Sequence, residues 1–109
     1  MPKLSDKQVV NFLNAASPGS CLAVQLAQDH LKEGKSIKEL FTKHSSPFGI
    51  TDEAVYGHYI KAHKLSEKRY QIEFGCHAGP LAGDGGTWIV EFDKDDKVVS
   101  CDQVGRWIS

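Results

Sequence analysis

The apolar residues of this chain change their spacing once, near residue 54, and this change limits the possible folds more than any other feature. Before residue 54 they recur at steps of three and four residues, the period of an amphipathic helix. After residue 54 they recur at every second residue, the period of a half-buried antiparallel strand. Helices followed by strands predict an α+β fold: three short N-terminal helices packed on one face of a four-stranded antiparallel meander sheet.

The first and third predicted helices begin at capping boxes. Ser5 with Gln8 marks the start of the first helix, and Ser36 with Glu39 marks the start of the third, whose apolar spacing continues to His44. The second helix is predicted from residue 21 to about residue 33, with a serine cap before it and a glycine directly after it.

Four strands are predicted after residue 54, over residues 54–62, 69–76, 87–93 and 98–104, with residues 105–109 as a short tail. Their inward-facing side chains are expected to pack on the helices and to form most of the core. The strongest candidates are Tyr70, Ile72, Phe74, Trp88, Val90 and Phe92.

Length and composition indicate one domain over residues 1–109. The 13 basic residues are scattered and are balanced by 14 acidic ones, which argues against a nucleic-acid partner. No apolar run approaches a membrane span of about 20 residues, and no signal-peptide segment opens the sequence. We therefore expect no membrane association, and we expect a cytoplasmic protein.

The cysteines and histidines do not have the spacing of a metal site. The sequence contains no Cys-x-x-Cys pair and no helical His-x-x-x-His pair, so neither a metal nor a cofactor is predicted. Three cysteines without a secretion signal favour reduced thiols. A Cys76–Cys101 disulfide is the alternative for a mature secreted form.

Five of the ten glycines fall between Gly75 and Gly86, between two strongly alternating segments. Glycine-rich connections let the backbone approach a ligand or a partner, so we predict a contact loop over residues 75–86. A long, flexible hairpin connection is the other interpretation. The predicted binding residues are Gly75, His77, Pro80, Leu81, Asp84 and, from the tail, Trp107.

The function that fits this pattern is a small interaction or regulatory domain. It would bind a protein partner or a small ligand through loop 75–86 and the outer sheet face, and a homodimer joined by that face remains open. Tyr59 beside Lys61 is the outward pair that would suit base stacking, and one such pair is too little for RNA recognition.

A thiol-dependent hydrolase or transferase is the second hypothesis. Cys21 lies at a predicted helix start, where the helix dipole favours the thiolate. The segment Gly19–Cys21 resembles the nucleophile segment of papain-like thiol hydrolases, which implies a histidine base from the sheet. His77 is the candidate base, with Asp84 or Asp102 to orient it. A third hypothesis is a cone of cystatin-like or NTF2-like type that encloses a small apolar ligand.

Overall fold

A computed structural model describes residues 4–41, 44–45, 55–79 and 82–108, and confirms the predicted α+β architecture. Three short helices pack on one face of an antiparallel meander in which every strand pairs with its neighbour along the chain. None of the described helices has the length and apolar character needed to span a membrane. The helices are α1 (Asp6–Ala15), α2 (Leu22–Lys32) and α3 (Ile37–Leu40). The strands are β1 (His44–Ser45), β2 (Val55–Ser66), β3 (Arg69–Gly79), β4 (Ala82–Phe92) and β5 (Val98–Ile108).

The core lies between the helices and the inner face of the sheet. All six strand side chains predicted to face inward are buried. Phe12 of α1 is fully buried and packs edge-on against Trp88, with ring centroids 5.3 Å apart, and against Phe74 at 6.1 Å. Each large apolar side chain buried in this way contributes about 1.5–3 kcal/mol to folding.

The predicted helix boundaries are partly right. Both hydrogen bonds of the first capping box form, from Ser5 N–H to Gln8 Oε1 at 2.9 Å and from Gln8 N–H to Ser5 Oγ at 3.2 Å. Gly34 follows α2 with a φ of +81°, in the left-handed region that favours glycine. The third helix is shorter than predicted, because it ends at Leu40 and His44 pairs with β2 as part of the short strand β1.

The glycine run is not a loop, and this prediction was wrong. β3 continues to Gly79 and β4 begins at Ala82, so most of the run lies in two paired strands. Pro80 and Leu81, the two residues between these strands, lie outside the described residues. The predicted C-terminal tail is also strand, since β5 extends to Ile108.

Candidate functional site

Three aromatic rings from three strands meet on the face of the sheet opposite the helices. Successive strand residues point to opposite faces, so the buried Cys76 marks the inner face and the exposed His77 marks the outer one. The ring of His77 lies 5.4 Å from the ring of Tyr59 on β2 and 5.4 Å from the ring of Trp107 on β5, centroid to centroid. We call Tyr59, His77 and Trp107 the ring cluster.

The rings of the cluster stack on one another with an offset and do not form one straight column. The third centroid distance, between Tyr59 and Trp107, is 6.4 Å, so the three centroids form a nearly equilateral triangle. The interplanar angles are 18°, 25° and 32°. Nearly parallel rings with centroids 5.4 Å apart are offset-stacked, because coplanar rings at that distance would overlap, and a straight column would make one distance twice the others.

Two of these rings lean toward each other across the two strands between them. Register aligns Tyr59 with Gly75, Gly75 with Gly85, and Gly85 with Trp107, in one row across the sheet. Strands β2 and β5 stand three strand spacings apart, about 14 Å at the usual spacing. Since the ring centroids are only 6.4 Å apart, both side chains reach inward over the two glycines.

The glycines beneath the rings have no room for a side chain. A Cβ on Gly85 would lie 2.5 Å from Nε1 of Trp107, and one on Gly75 would lie 2.9 Å from Tyr59 and 3.0 Å from Trp107. A Cβ on Gly83 would lie 3.0 Å from both His77 and Trp107. Aromatic side chains that cover glycines in neighbouring strands are a known way to stabilise glycine-rich sheet. The glycine run is therefore the floor on which the ring cluster lies.

A glutamate, Glu73, and a lysine, Lys61, lie at the edge of the ring cluster. The hydroxyl of Tyr59 donates to Oε1 of Glu73 at 3.0 Å, and Nζ of Lys61 lies 5.9 Å from the centroid of the Tyr59 ring. Lys61 and Glu73 are direct partners across β2 and β3. Burial and the hydrogen bond to Glu73 raise the pKa of Tyr59 to about 12, so its hydroxyl stays protonated at physiological pH.

Asp84 belongs to the inner face and holds the start of α2. Its carboxylate accepts hydrogen bonds from the backbone N–H of Leu22 at 3.2 Å and of Ala23 at 2.7 Å, and it lies 3.5 Å from the guanidinium of Arg106. The N-cap of α2 is Cys21 rather than the predicted Ser20, and its side chain makes no capping bond. Asp84 therefore supplies the cap that a neighbouring serine was expected to supply, and it is buried rather than part of an outer binding surface.

The proposed thiol triad is not assembled. Cys21 is buried beside Asp84 on the inner side, whereas His77 stacks with the ring cluster on the outer side. Burial and the negative charge of Asp84 raise the pKa of the Cys21 thiol above its usual value. The expected thiolate at the helix start is thus opposed by desolvation, because a buried charge has lost its water.

The other two cysteines are also free thiols. In the strand register, Cys76 on β3 lies opposite Asp84 on β4, and Cys101 on β5 lies opposite Val90 on β4. A Cys76–Cys101 disulfide does not form because β4 lies between the two strands that carry them. Burial raises the pKa of each thiol to about 11.

A recess lies between the helices and β2. It has a volume of about 480 Å³ and a mostly apolar lining that includes Val9, Phe41 and Ile60. His58 also lines this recess. Its Nε2 donates to the Ala23 carbonyl at 3.2 Å, and burial lowers the pKa of His58 to about 4. Among the described residues, no group of three or more His, Cys, Asp or Glu is placed to hold a metal ion.

Comparison with protein-family models, with curated proteins and with solved structures found no match to this chain. The assignment of a site therefore rests on the geometry alone. Of the predicted binding residues, the structure brings together Gly75, His77 and Trp107 and moves Asp84 to the opposite face. Sequence reasoning missed Tyr59 as their partner, although its period-two spacing had already placed it on the outer face.

Proposed function

We propose that this chain is a non-catalytic binding domain and that the ring cluster is its binding surface. The observation that carries the proposal is the convergence of three nearly parallel rings, from three strands, on a floor of glycines. The core does not require this arrangement, because the six inward strand residues already fill the helix-covered face.

The ring cluster has the composition of a binding hot spot. Trp and Tyr are the side chains that most often dominate contact energies, and they do so when a polar rim surrounds them. Here Tyr59 and Trp107 are each partly exposed, and Lys61 and Glu73 lie at the edge. The three rings contact one another and the glycines beneath them, so little side-chain entropy is lost when a ligand covers them.

A cytoplasmic location is part of the same proposal. It is supported by the three free cysteines, two of them buried, because thiols stay reduced in the cytoplasm. The thiol hydrolase gains no support from the geometry, since Cys21 and His77 lie on opposite sides of the sheet.

Ligand screening with matched variants tests the proposal. The wild-type chain would be compared with Trp107→Ala and His77→Ala for binding to arrayed glycans, oligonucleotides and peptides. Val99→Ala is the control, because Val99 is an exposed apolar residue on the same strand as Trp107. Circular dichroism spectra would confirm that each variant is folded.

We expect at least one ligand that the wild type and Val99→Ala retain and that both ring variants lose. Ligands that all four proteins bind equally would contradict the proposal, because their contact surface would lie elsewhere. If the chain instead forms a homodimer through this face, the ring variants should lose self-association. Analytical ultracentrifugation of the wild type and the variants measures this.

A further inference from the structure

We infer that Cys21 and Cys76 are a pair of thiols that an oxidant joins in a disulfide, which fixes the start of α2 to β3. In the structure both are free thiols and both are buried. The pair lies on the inner face of the sheet and is independent of the ring cluster. It depends on the contacts that hold the first turn of α2 against β3 and β4.

Three side chains form one row across the inner face at this point. Register places His58 on β2 opposite Cys76 on β3, and Cys76 opposite Asp84 on β4. All three residues are buried. Since neighbouring strands are about 4.7–4.9 Å apart, Cys76 occupies the middle of a row that is only two strand spacings long.

The first turn of α2 lies directly over this row. The backbone N–H of Ala23 donates to Oδ1 of Asp84 at 2.7 Å, at one end of the row. The carbonyl of the same residue accepts from Nε2 of His58 at 3.2 Å, at the other end. Because Ala23 is held from both ends of the row, Cys76 in the middle faces the start of the helix.

Cys21 enters the same space from the helix side. It is the N-cap of α2, and the next residue, Leu22, donates its backbone N–H to Oδ2 of Asp84 at 3.2 Å. One short side chain and one hydrogen bond therefore span the gap between the helix start and the sheet. A disulfide joins Cα atoms about 4.4–6.8 Å apart, which is a gap of similar size. Cys21 is 2% exposed and Cys76 is 4% exposed, so both are packed into this contact.

The electrostatics of the two thiols agree with this placement. Burial, the charge of Asp84 and the charge that Cys21 carries as a thiolate together raise the pKa of Cys76 to about 11. A like charge has this effect at short range. Cys101 does not compete for either thiol, because it lies opposite Val90, about 20 Å along β4 from Asp84 at the usual rise of a strand.

The oxidant is a small disulfide such as oxidised glutathione. One thiol loses its proton and attacks a sulfur of the oxidant, which forms a mixed disulfide and releases the first glutathione thiolate. The other thiol loses its proton and attacks the protein sulfur of the mixed disulfide, which forms the Cys21–Cys76 bond and releases the second. The two protons pass to the two glutathiones, so the protein is oxidised by two electrons and the oxidant is reduced. Burial disfavours both thiolates, so we expect a slow reaction in the folded chain.

Treatment of the folded chain with oxidised glutathione, without denaturant, tests this inference. The wild type would be compared with Cys21→Ser, Cys76→Ser and the matched control Cys101→Ser. Mass spectrometry of nonreduced tryptic digests identifies which cysteines are joined. Alkylation in urea counts the thiols that remain, and circular dichroism confirms that each variant is folded.

We expect the peptides that carry Cys21 and Cys76 to be joined in the wild type and in Cys101→Ser, and to stay separate in the other two variants. The bond closes a loop of about 55 residues, which restricts the unfolded chain enough to raise Tm by at least about 10 °C. Adding dithiothreitol to the oxidised protein should return Tm to the value of the reduced protein.

Three results would overturn the inference. The first is that Cys21 and Cys76 stay free in the folded chain, and the second is that the bond forms only in urea, since either would show that the two sulfurs do not face each other. The third is an oxidised form with a lower Tm than the reduced form, since the fold would then have to distort to make the bond. The peptide map of the wild type gives the answer even where a serine variant fails to fold.

Discussion

Replacing Gly85 by alanine tests directly whether the indole of Trp107 lies on the backbone of β4. The added methyl group would lie 2.5 Å from Nε1 of Trp107 and 2.9 Å from the backbone oxygen of Phe74. The indole could move aside, but the Phe74 carbonyl belongs to a paired central strand and cannot. Forcing an extra methyl group into such a site costs about 1–3 kcal/mol.

The assay is urea unfolding followed by circular dichroism, with Gly105→Ala as the matched control. A Cβ on Gly105 has its nearest neighbour at 3.8 Å, which is ordinary contact, so this variant should remain within about 0.5 kcal/mol of the wild type. In thermal unfolding, Gly85→Ala should lower Tm by about 4–8 °C for each kcal/mol lost. A double variant with Trp107→Ala should recover part of the loss, because one of the two clashes is removed.

A Gly85→Ala protein as stable as the wild type, with unchanged tryptophan emission, would refute this reasoning. It would mean that the methyl group is accommodated and that the indole does not lie on the strand. The ring cluster would then lack the floor of glycines on which it lies.

Three further predictions concern the inner face. Asp84→Asn should lower the free energy of unfolding by about 1–2 kcal/mol, because the charged cap of α2 is lost, whereas the exposed Asp102→Asn should have no measurable effect in the same urea titration. Burial lowers the pKa of His58 to about 4, so on acidification this side chain binds a proton in the unfolded chain before it does so in the folded chain. The free energy of unfolding should be highest above pH 6.5 and fall by up to about 3 kcal/mol as the pH drops to 4. A His58→Gln variant whose free energy of unfolding fell just as steeply with pH would contradict this. Iodoacetamide should modify Cys21 more slowly in the native protein than in urea, because burial raises the pKa of its thiol, and native labelling at the rate of a free peptide thiol would show that it is accessible.

The parts of the fold that were predictable are those set by neighbouring residues. The capping box at Ser5 and the alternation around Phe74 depend on side chains a few positions apart, and both are present. The start of α2 was misplaced because its cap comes from Asp84, 61 residues beyond Ala23, and local sequence cannot reveal such a partner. The third helix was overextended for a similar reason, since pairing with β2 draws His44 into a strand.

The candidate site could be predicted only in part from the sequence, for the same physical reason. Alternation of apolar and polar residues identifies a strand only when there are side chains to alternate, so a strand rich in glycine has the pattern of a loop. Gly85 is extended because it pairs with Gly75 on β3 and with Trp107 on β5, whose ring covers it, and neither partner is a near neighbour in sequence. His77 and Trp107 were identified as binding candidates, but their meeting with Tyr59 depends on sheet register.

The central claim is that ligands bind on the outer sheet face, and nuclear magnetic resonance tests it most directly. The ¹H–¹⁵N spectrum of the labelled protein would be recorded while a ligand identified in the screen of glycans, oligonucleotides and peptides is added. The account predicts that the indole N–H of Trp107 and the amides of Gly75, His77 and Gly85 shift together, while the indole of the buried Trp88 does not move. Shifts confined to the recess around Val9 and Phe41, with Trp107 unchanged, would contradict it.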